Sequence, residues 1–123
     1  NLLQLRITEL VSAQAQSLGV SAHIDYRRDY PVLVNTPAET DFARQVATEL
    51  LGAERVVRQG RPLTGSEDFA FMLERCPGSY LMIGNGEGEG SCMVHNPGYD
   101  FNDAILPVGA AFWSQLTQRF LNP

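Results

Sequence analysis

The sequence predicts an α/β fold, in which helices pack on a sheet. Segments with the 3.6-residue period of an amphipathic helix alternate with short segments of strand-like pattern. Apolar residues make up 44% of the 123 residues and charged residues 19%, which is typical of a folded chain rather than a disordered one. This length suffices for one core of ordinary size or for parts of two domains.

The first helix is predicted from apolar residues spaced three and four positions apart, ending at Gly19. The pattern begins at Asn1, which is not a Met and leaves no room for a cap, so we expect a piece of a longer protein. Residues 20–26 then alternate apolar and polar, which predicts a half-buried strand. An extended link follows, with Pro31 and a short apolar run at residues 32–34.

A second helix is predicted to begin at Thr36, with Pro37 in its first turn and Glu39 closing a capping box. It should end at Gly52, and residues 55–58 predict a short strand.

A third helix is predicted to begin within residues 64–68, because Thr64 and Glu67 have capping-box spacing. Residues 80–83 are all apolar, as in a central strand covered on both faces. A glycine-rich loop separates them from a last helix that Asp103 is predicted to cap.

Charge and composition argue against several classes of function. Nine basic residues against 14 acidic ones give a net charge of −5, and no basic cluster exists that would bind nucleic acid. The sequence shows no apolar run of roughly 20 residues for a membrane span and no signal-peptide pattern, so we expect a cytoplasmic protein. Cys76 and Cys92 are expected to be free thiols in a reducing compartment.

Three features are candidates for a site. The glycine loop, residues 84–91, follows a predicted strand, but it lacks a lysine and contains two glutamates that would repel a phosphate. Glu67 and Asp68 have the chemistry of a catalytic acid pair, although the start of a helix explains them better. His95 enters a turn, and spacing alone favours a hydrogen-bonded turn residue over a metal ligand.

Four segments in order change this weighting: Gly-Ser-Glu-Asp-Phe-Ala at 65–70, Pro-Gly-Ser-Tyr at 77–80, Ile-Gly-Asn-Gly at 83–86 and His-Asn-Pro-Gly-Tyr-Asp-Phe-Asn-Asp at 95–103. Together they resemble the C-terminal part of the metal-dependent amidohydrolases that include hippurate hydrolase and the indole-acetyl-amino-acid hydrolases. These enzymes group with aminoacylase and the carboxypeptidase G-type metallopeptidases.

The resemblance implies two parts of a larger architecture. Residues 1–34 would be the end of an inserted α+β lid, or dimerisation, domain. Residues 35–123 would be the C-terminal part of a zinc-peptidase-like α/β catalytic domain. The resemblance also implies a homo-oligomer, such as a dimer formed through the lid domain.

The resemblance also implies roles for individual residues. His95 would be a ligand of a dinuclear centre of divalent metal, zinc or manganese, and Ser66 and Glu67 would be substrate-binding residues. The family's other ligands and its catalytic glutamate have no counterpart here, so we expect no catalytic residue in this chain. The chain alone should therefore be inactive and should not retain the metal.

The implied reaction is hydrolysis of a small N-acyl amino acid, such as hippurate, by a metal-activated water. The alternative is a non-catalytic α/β module for dimerisation or ligand binding that kept the fold and lost the chemistry. A complete small zinc protein is disfavoured because its available ligands, Cys76, Cys92, His23 and His95, are irregularly spaced.

Overall fold

Helices are the regular elements of this computed structural model, which describes residues 1–57 and 60–122. They are α1 (Leu2–Ser17), α2 (Pro37–Leu51), a 3₁₀ turn (Ala53–Arg55), α3 (Phe69–Leu73), a 3₁₀ turn (Asp103–Ile105) and α4 (Leu106–Leu121). The chain divides into two units, Asn1–Pro31 and Val32–Pro123. No helix among the described residues has the length and apolar character that crossing a membrane requires.

The predicted α/β fold is wrong for the described residues, because 1–57 and 60–122 contain no strand. Segments 20–26, 32–34 and 80–83 have no regular secondary structure. Of the strand predicted at 55–58, residue 55 ends a 3₁₀ turn and Arg58 lies outside the described residues. Alternating or continuous apolar residues indicate which side chains seek burial, but a strand also needs a neighbouring backbone for its hydrogen bonds.

The Asn35 side chain hydrogen-bonds both main-chain groups of Tyr80, where one predicted strand begins. The Tyr80 amide donates to Asn35 Oδ1 at 2.8 Å, and Asn35 Nδ2 donates to the Tyr80 carbonyl at 2.9 Å. Nearby, the Thr36 amide donates to the Gly78 carbonyl at 2.9 Å. One carboxamide thus satisfies both main-chain groups of Tyr80, which a neighbouring strand would otherwise bind.

The same contacts explain why the predicted capping box on α2 does not form. Thr36 Oγ1 accepts from the Gly78 amide at 3.1 Å and makes no cap bond to the helix. Because the Thr36 amide is also bound to Gly78, Glu39 has no donor there. Its Oε2 atom is buried with no hydrogen-bond partner among the described residues. The bounds of α2, with Pro37 in its first turn and Gly52 after its end, are confirmed.

The core of the second unit lies between α2 and α4, as their apolar spacing predicts. Ala43 and Val46 of α2 and Phe112 of α4 are buried. Partly buried residues surround them: Phe42, Ala47, Leu50 and Leu116. The Phe42 and Phe120 rings meet edge to face with centroids 6.4 Å apart. Burial of these faces is what stabilises the pair.

Helix α1 is capped at both ends. Asn1 Oδ1 accepts from the Leu3 amide at 3.2 Å, so the expectation that this helix lacks a cap is wrong. At the other end, Gly19 adopts φ +70° and donates to Gln16, and Val20 donates to Ala15, which is a Schellman motif. No residue of α1 is buried.

Candidate functional site

His95 lies in a tight turn between the glycine-rich loop and α4. The Asn96 amide donates to the Met93 carbonyl at 3.1 Å, which places His95 at the third position of a four-residue turn. His95 is the one described non-glycine residue with a positive φ, +69°. A positive φ at the third position alone is the geometry of a type II turn.

The His95 imidazole is available for a ligand. Its side chain is exposed and makes no hydrogen bond or ion pair with the described residues. The turn expected around His95 is present, and its hydrogen bond joins Asn96 and Met93 rather than His95 itself. A free imidazole nitrogen in its neutral form is a good ligand for a divalent metal.

A second turn follows directly. The Tyr99 amide donates to the Asn96 carbonyl at 2.9 Å, with Pro97 at the second position. Asn96 Oδ1 accepts from the Gly98 amide at 2.9 Å, so the asparagine side chain braces the same turn. Two consecutive turns fix the direction in which the chain leaves His95.

Hydrogen bonds of two asparagines, Asn85 and Asn102, join the two ends of this loop. Asn85 Nδ2 donates to the Asp100 carbonyl, and Asn85 Oδ1 accepts from the Asn102 amide, both at 2.8 Å. Asn102 Nδ2 returns a bond of 3.2 Å to the Asn85 carbonyl, and its Oδ1 accepts from the Ala104 amide at 3.0 Å. Asn102, and not the predicted Asp103, therefore caps the helical segment that leads into α4.

A polar cavity of about 290 Å³ lies beside these asparagines. It is lined by Asn85, Gly88, Glu89, Ser91, Asp100, Phe101, Asn102 and Asp103. Across the loop, the Asp100 amide donates to the Gly90 carbonyl at 2.9 Å. Gly90 has φ +78°, and an added Cβ would lie 2.6 Å from the Asp100 Cβ, so this crossing requires glycine.

Glu67 lies two residues before α3, which is shorter than predicted and begins at Phe69. Glu67 Oε1 accepts from the Phe69 amide at 3.3 Å. This backbone bond, followed by a hydrogen bond from the Tyr80 phenol, lowers the pKa of Glu67 below its usual range. The expected capping box with Thr64 is absent, and Ser66 is exposed without a hydrogen bond to the described residues.

The structure does not gather the predicted site residues into one cluster. No hydrogen bond or ion pair joins His95 to Ser66 or Glu67. Residues 1–57 and 60–122 contain no group of three or more His, Cys, Asp and Glu side chains placed to hold a metal. Cys76 and Cys92 are both free thiols, as expected.

Three residues around the candidate site were missed by sequence reasoning. Asn85 and Asn102 bind the loop ends, and Tyr80, after the Phe69 amide, contributes to the lowered pKa of Glu67. The Gly-Asn-Gly segment at 84–86 is a signal for the first, because an asparagine between glycines often bonds main-chain groups. Tyr80 is concealed in an apolar run, where its ring suggests burial and its hydroxyl is overlooked.

Comparison with known sequences identifies the family of this chain. The profile of peptidase family M20/M25/M40 matches residues 3–119. The chain belongs to this family. No solved structure matches the chain significantly.

Curated relatives in the family carry hydrolase names. The chain is 32% identical over 120 residues to hippurate hydrolase of Campylobacter jejuni, covering 98% of this chain and 30% of that protein. It is 31% identical over 125 residues to IAA-amino acid hydrolase ILR1-like 4 of Arabidopsis thaliana, covering 97% of this chain and 28% of that protein. Thermostable carboxypeptidase 2 of Saccharolobus solfataricus is 27% identical over 92% of this chain. The chain spans less than a third of the length of these relatives.

Proposed function

We propose that this chain is the C-terminal part of a metal-dependent amidohydrolase that hydrolyses N-acyl amino acids, and that His95 is one ligand of its metal centre. Family membership supports the hydrolase assignment, and relatives named for hippurate and IAA-amino acids support the substrate class. The observation that supports the ligand role is the exposed imidazole on a left-handed turn, which has no partner within residues 1–57 and 60–122.

The fit of a metal to this chain is partial. A catalytic metal site takes about three protein ligands and an open position for water, and His95 provides one imidazole. We propose that the other ligands and the catalytic carboxylate lie outside these residues. The 123-residue chain alone would then be inactive and would not retain zinc or manganese.

A bound divalent ion would polarise the scissile carbonyl and lower the pKa of a bound water, which supplies the nucleophile. The contribution of this chain would be the His95 imidazole as one ligand. The turn at His95 sets the backbone conformation there, and Asn85 and Asn102 hydrogen-bond the two ends of the loop to each other. Such support matters because a ligand must be positioned before it binds.

The proposal also covers the domain boundaries, the association with a second copy and the cellular location. Residues 1–34 would end a lid domain and residues 35–123 would belong to the catalytic domain. The exposed apolar residues of α1, including Leu3 and Leu10, support association with a second copy of the protein. The free thiols support a cytoplasmic location, and the charge of −5 supports the absence of a nucleic-acid partner.

The test uses the full-length gene product with His95→Ala, and with His23→Ala as a matched control. His23 is the only other histidine and is also exposed. We expect His95→Ala to lower kcat/KM for hippurate and related N-acyl amino acids by about 100-fold or more, and to lower the metal content. His23→Ala should retain both.

The outcomes separate the parts of the proposal. Wild-type activity and metal content in His95→Ala would refute the ligand role. A folded full-length protein that hydrolyses none of the N-acyl amino acids would favour the non-catalytic module. Hydrolysis by the isolated 123 residues would refute the claim that further ligands are needed.

A further inference from the structure

Asn85 is followed by Gly86, and the fold favours glycine at that second position. Of the asparagines in the chain, only Asn85 precedes a glycine. Gly86 has φ +90°, and an added Cβ would lie 3.3 Å from Asn102 Nδ2. Gly86 is exposed, and its amide makes no hydrogen bond with the described residues. An amide nitrogen with no side chain beside it and no hydrogen bond is able to attack the preceding carboxamide.

The reaction open to such a pair is an intramolecular cyclisation. The Gly86 nitrogen attacks Asn85 Cγ, a new N–C bond forms, and the bond from Cγ to Nδ2 breaks. The side-chain nitrogen leaves as ammonia and takes the proton of the Gly86 amide. Water then opens the succinimide ring at one of its two carbonyls, which gives aspartate or isoaspartate. The reaction needs only water as a co-reactant.

The closed loop restrains the reacting carboxamide at both of its polar atoms. Asn85 Nδ2 donates to the Asp100 carbonyl, and Asn85 Oδ1 accepts from the Asn102 amide, both at 2.8 Å. Attack requires the two reacting atoms to lie about 3 to 3.5 Å apart and in alignment. A carboxamide that turns towards the Gly86 nitrogen gives up its bonds to residues 15 and 17 positions away. Closure of the loop therefore opposes the reaction.

The product does not fit the place that the Asn85 side chain occupies. An ionised carboxylate has no donor, so the bond to the Asp100 carbonyl is lost and two acceptors face each other. The cavity beside Asn85 is also lined by Glu89, Asp100 and Asp103. A new negative charge beside three acidic residues is repelled by them. After conversion, the open loop is favoured over the closed one.

We propose that Asn85 is a site of spontaneous deamidation that the closed loop restrains, and that the conversion favours the open loop once it has occurred. Conversion takes place during openings of the loop, so the converted fraction rises with the age of the protein. The loop concerned is the one that carries His95. This inference goes beyond the proposed function and does not depend on it.

The first experiment follows the full-length protein by peptide mass spectrometry during incubation at mildly alkaline pH. Fragmentation assigns the change from amide to acid to individual asparagines. We expect conversion at Asn85 to be about tenfold slower, or more, in the folded protein than in the same protein in urea. Asn96 in the same loop is the internal control, because Pro97 has no N–H with which to form the ring. No conversion at Asn85 in urea, or equal rates with and without urea, would overturn the inference.

Variants that loosen the loop test whether its closure restrains the reaction. Asn102→Ala removes a bond to the Asn85 carbonyl, and Gly90→Ala disturbs the crossing to Asp100. We expect each to speed conversion in the folded protein about tenfold. Asn122→Ala, which removes one bond at the end of α4, is the control and should keep the wild-type rate. In urea all four proteins should convert equally. Wild-type rates in both folded loop variants would overturn the role of closure.

Asn85→Asp reproduces one product of the conversion. We expect this variant to unfold at a lower urea concentration than wild type, and about 1 M salt to recover part of the difference by screening the repulsion. Asn85→Ala removes the same donor without adding a charge, so its loss should not respond to salt. Wild-type stability in Asn85→Asp, or equal salt responses, would overturn the proposed effect of the product.

None of these readouts depends on enzymatic activity. A protein that converts at Asn85 as expected and hydrolyses no N-acyl amino acid would leave this inference standing and would refute the proposed function. A protein that hydrolyses hippurate and shows no conversion at Asn85 in urea would do the reverse.

Discussion

The α2–α4 pair and the loop of residues 84–105 are held together by different forces. The helices bury Val46 and Phe112 in a small apolar core. None of the loop residues is buried, and the side-chain amides of Asn85 and Asn102 close the loop. Apolar burial depends on area and tolerates small shifts, while a closed set of hydrogen bonds depends on individual atoms.

The core and the candidate site therefore lie in different regions of the second unit. The pair that carries the core contains no candidate site residue, and the polar loop carries His95. A loop held by side-chain to main-chain bonds can keep an exposed residue in one position without covering it. We therefore expect changes in the pair to affect stability and changes in the loop to affect both stability and the site.

The largest effect is expected from Phe112→Ala. Phe112 is 7% exposed, and its loss leaves a cavity between the helices. We expect a fall of about 3 kcal/mol or more in the free energy of unfolding, measured by urea denaturation. Leu121→Ala on the same helix, at 68% exposure, is the control and should cost less than about 0.5 kcal/mol. Equal losses would mean that the pair is not the core.

Gly90→Ala should have the next largest effect. The added Cβ meets the Asp100 Cβ at 2.6 Å, and the backbone has a positive φ. We expect a loss of about 2 kcal/mol in the same assay. Gly88→Ala has no atom within 4 Å and no positive φ, so it should be neutral or slightly stabilising. A destabilised Gly88→Ala together with a neutral Gly90→Ala would contradict the loop geometry.

Asn102→Ala removes the acceptor for the Ala104 amide and the bond to the Asn85 carbonyl. We expect a loss of about 1 to 2 kcal/mol and, in the full-length protein, weaker metal retention. The control is Asn122→Ala, which removes one exposed bond at the end of α4 and should cost little. Full stability in Asn102→Ala would show that polar bonds do not hold the loop.

Arg119→Gln should have the smallest effect. Arg119 of α4 pairs with Glu49 of α2, and both side chains are well exposed. Such a pair contributes roughly 0 to 1 kcal/mol, and salt screens it. The difference from wild type should therefore vanish in about 1 M salt. A larger loss that salt abolishes would assign more of the stability of the α2–α4 pair to charge, whereas a salt-independent loss would assign it to packing of the Arg119 side chain.

The sequence was sufficient to predict α1, α2 and α4, but not the start of α3 or the absence of strands among the described residues. The bounds of α2 follow from Pro37 and Gly52, and the apolar spacing of α4 correctly places Phe112 in the core. The strand at 80–83 is wrong because an apolar run carries no information about its neighbour, here the side chain of Asn35.

The candidate site was also predictable only in part. A resemblance identifies His95 and Glu67 by their motifs, and it is silent about their immediate surroundings. Asn35 lies 45 positions before Tyr80, so the hydrogen bonds between them are set by the fold rather than by local spacing. Periodicity detects faces of helices, whereas single hydrogen bonds between distant residues leave no periodic trace.

The left-handed backbone of His95 has a further consequence. A residue with a Cβ pays a conformational penalty at φ +69° that glycine does not. His95→Gly would therefore relax the turn while removing the imidazole, so that stability and metal affinity move in opposite directions. Under the proposed ligand role, the turn at His95 gives up some stability so that an imidazole can occupy this position.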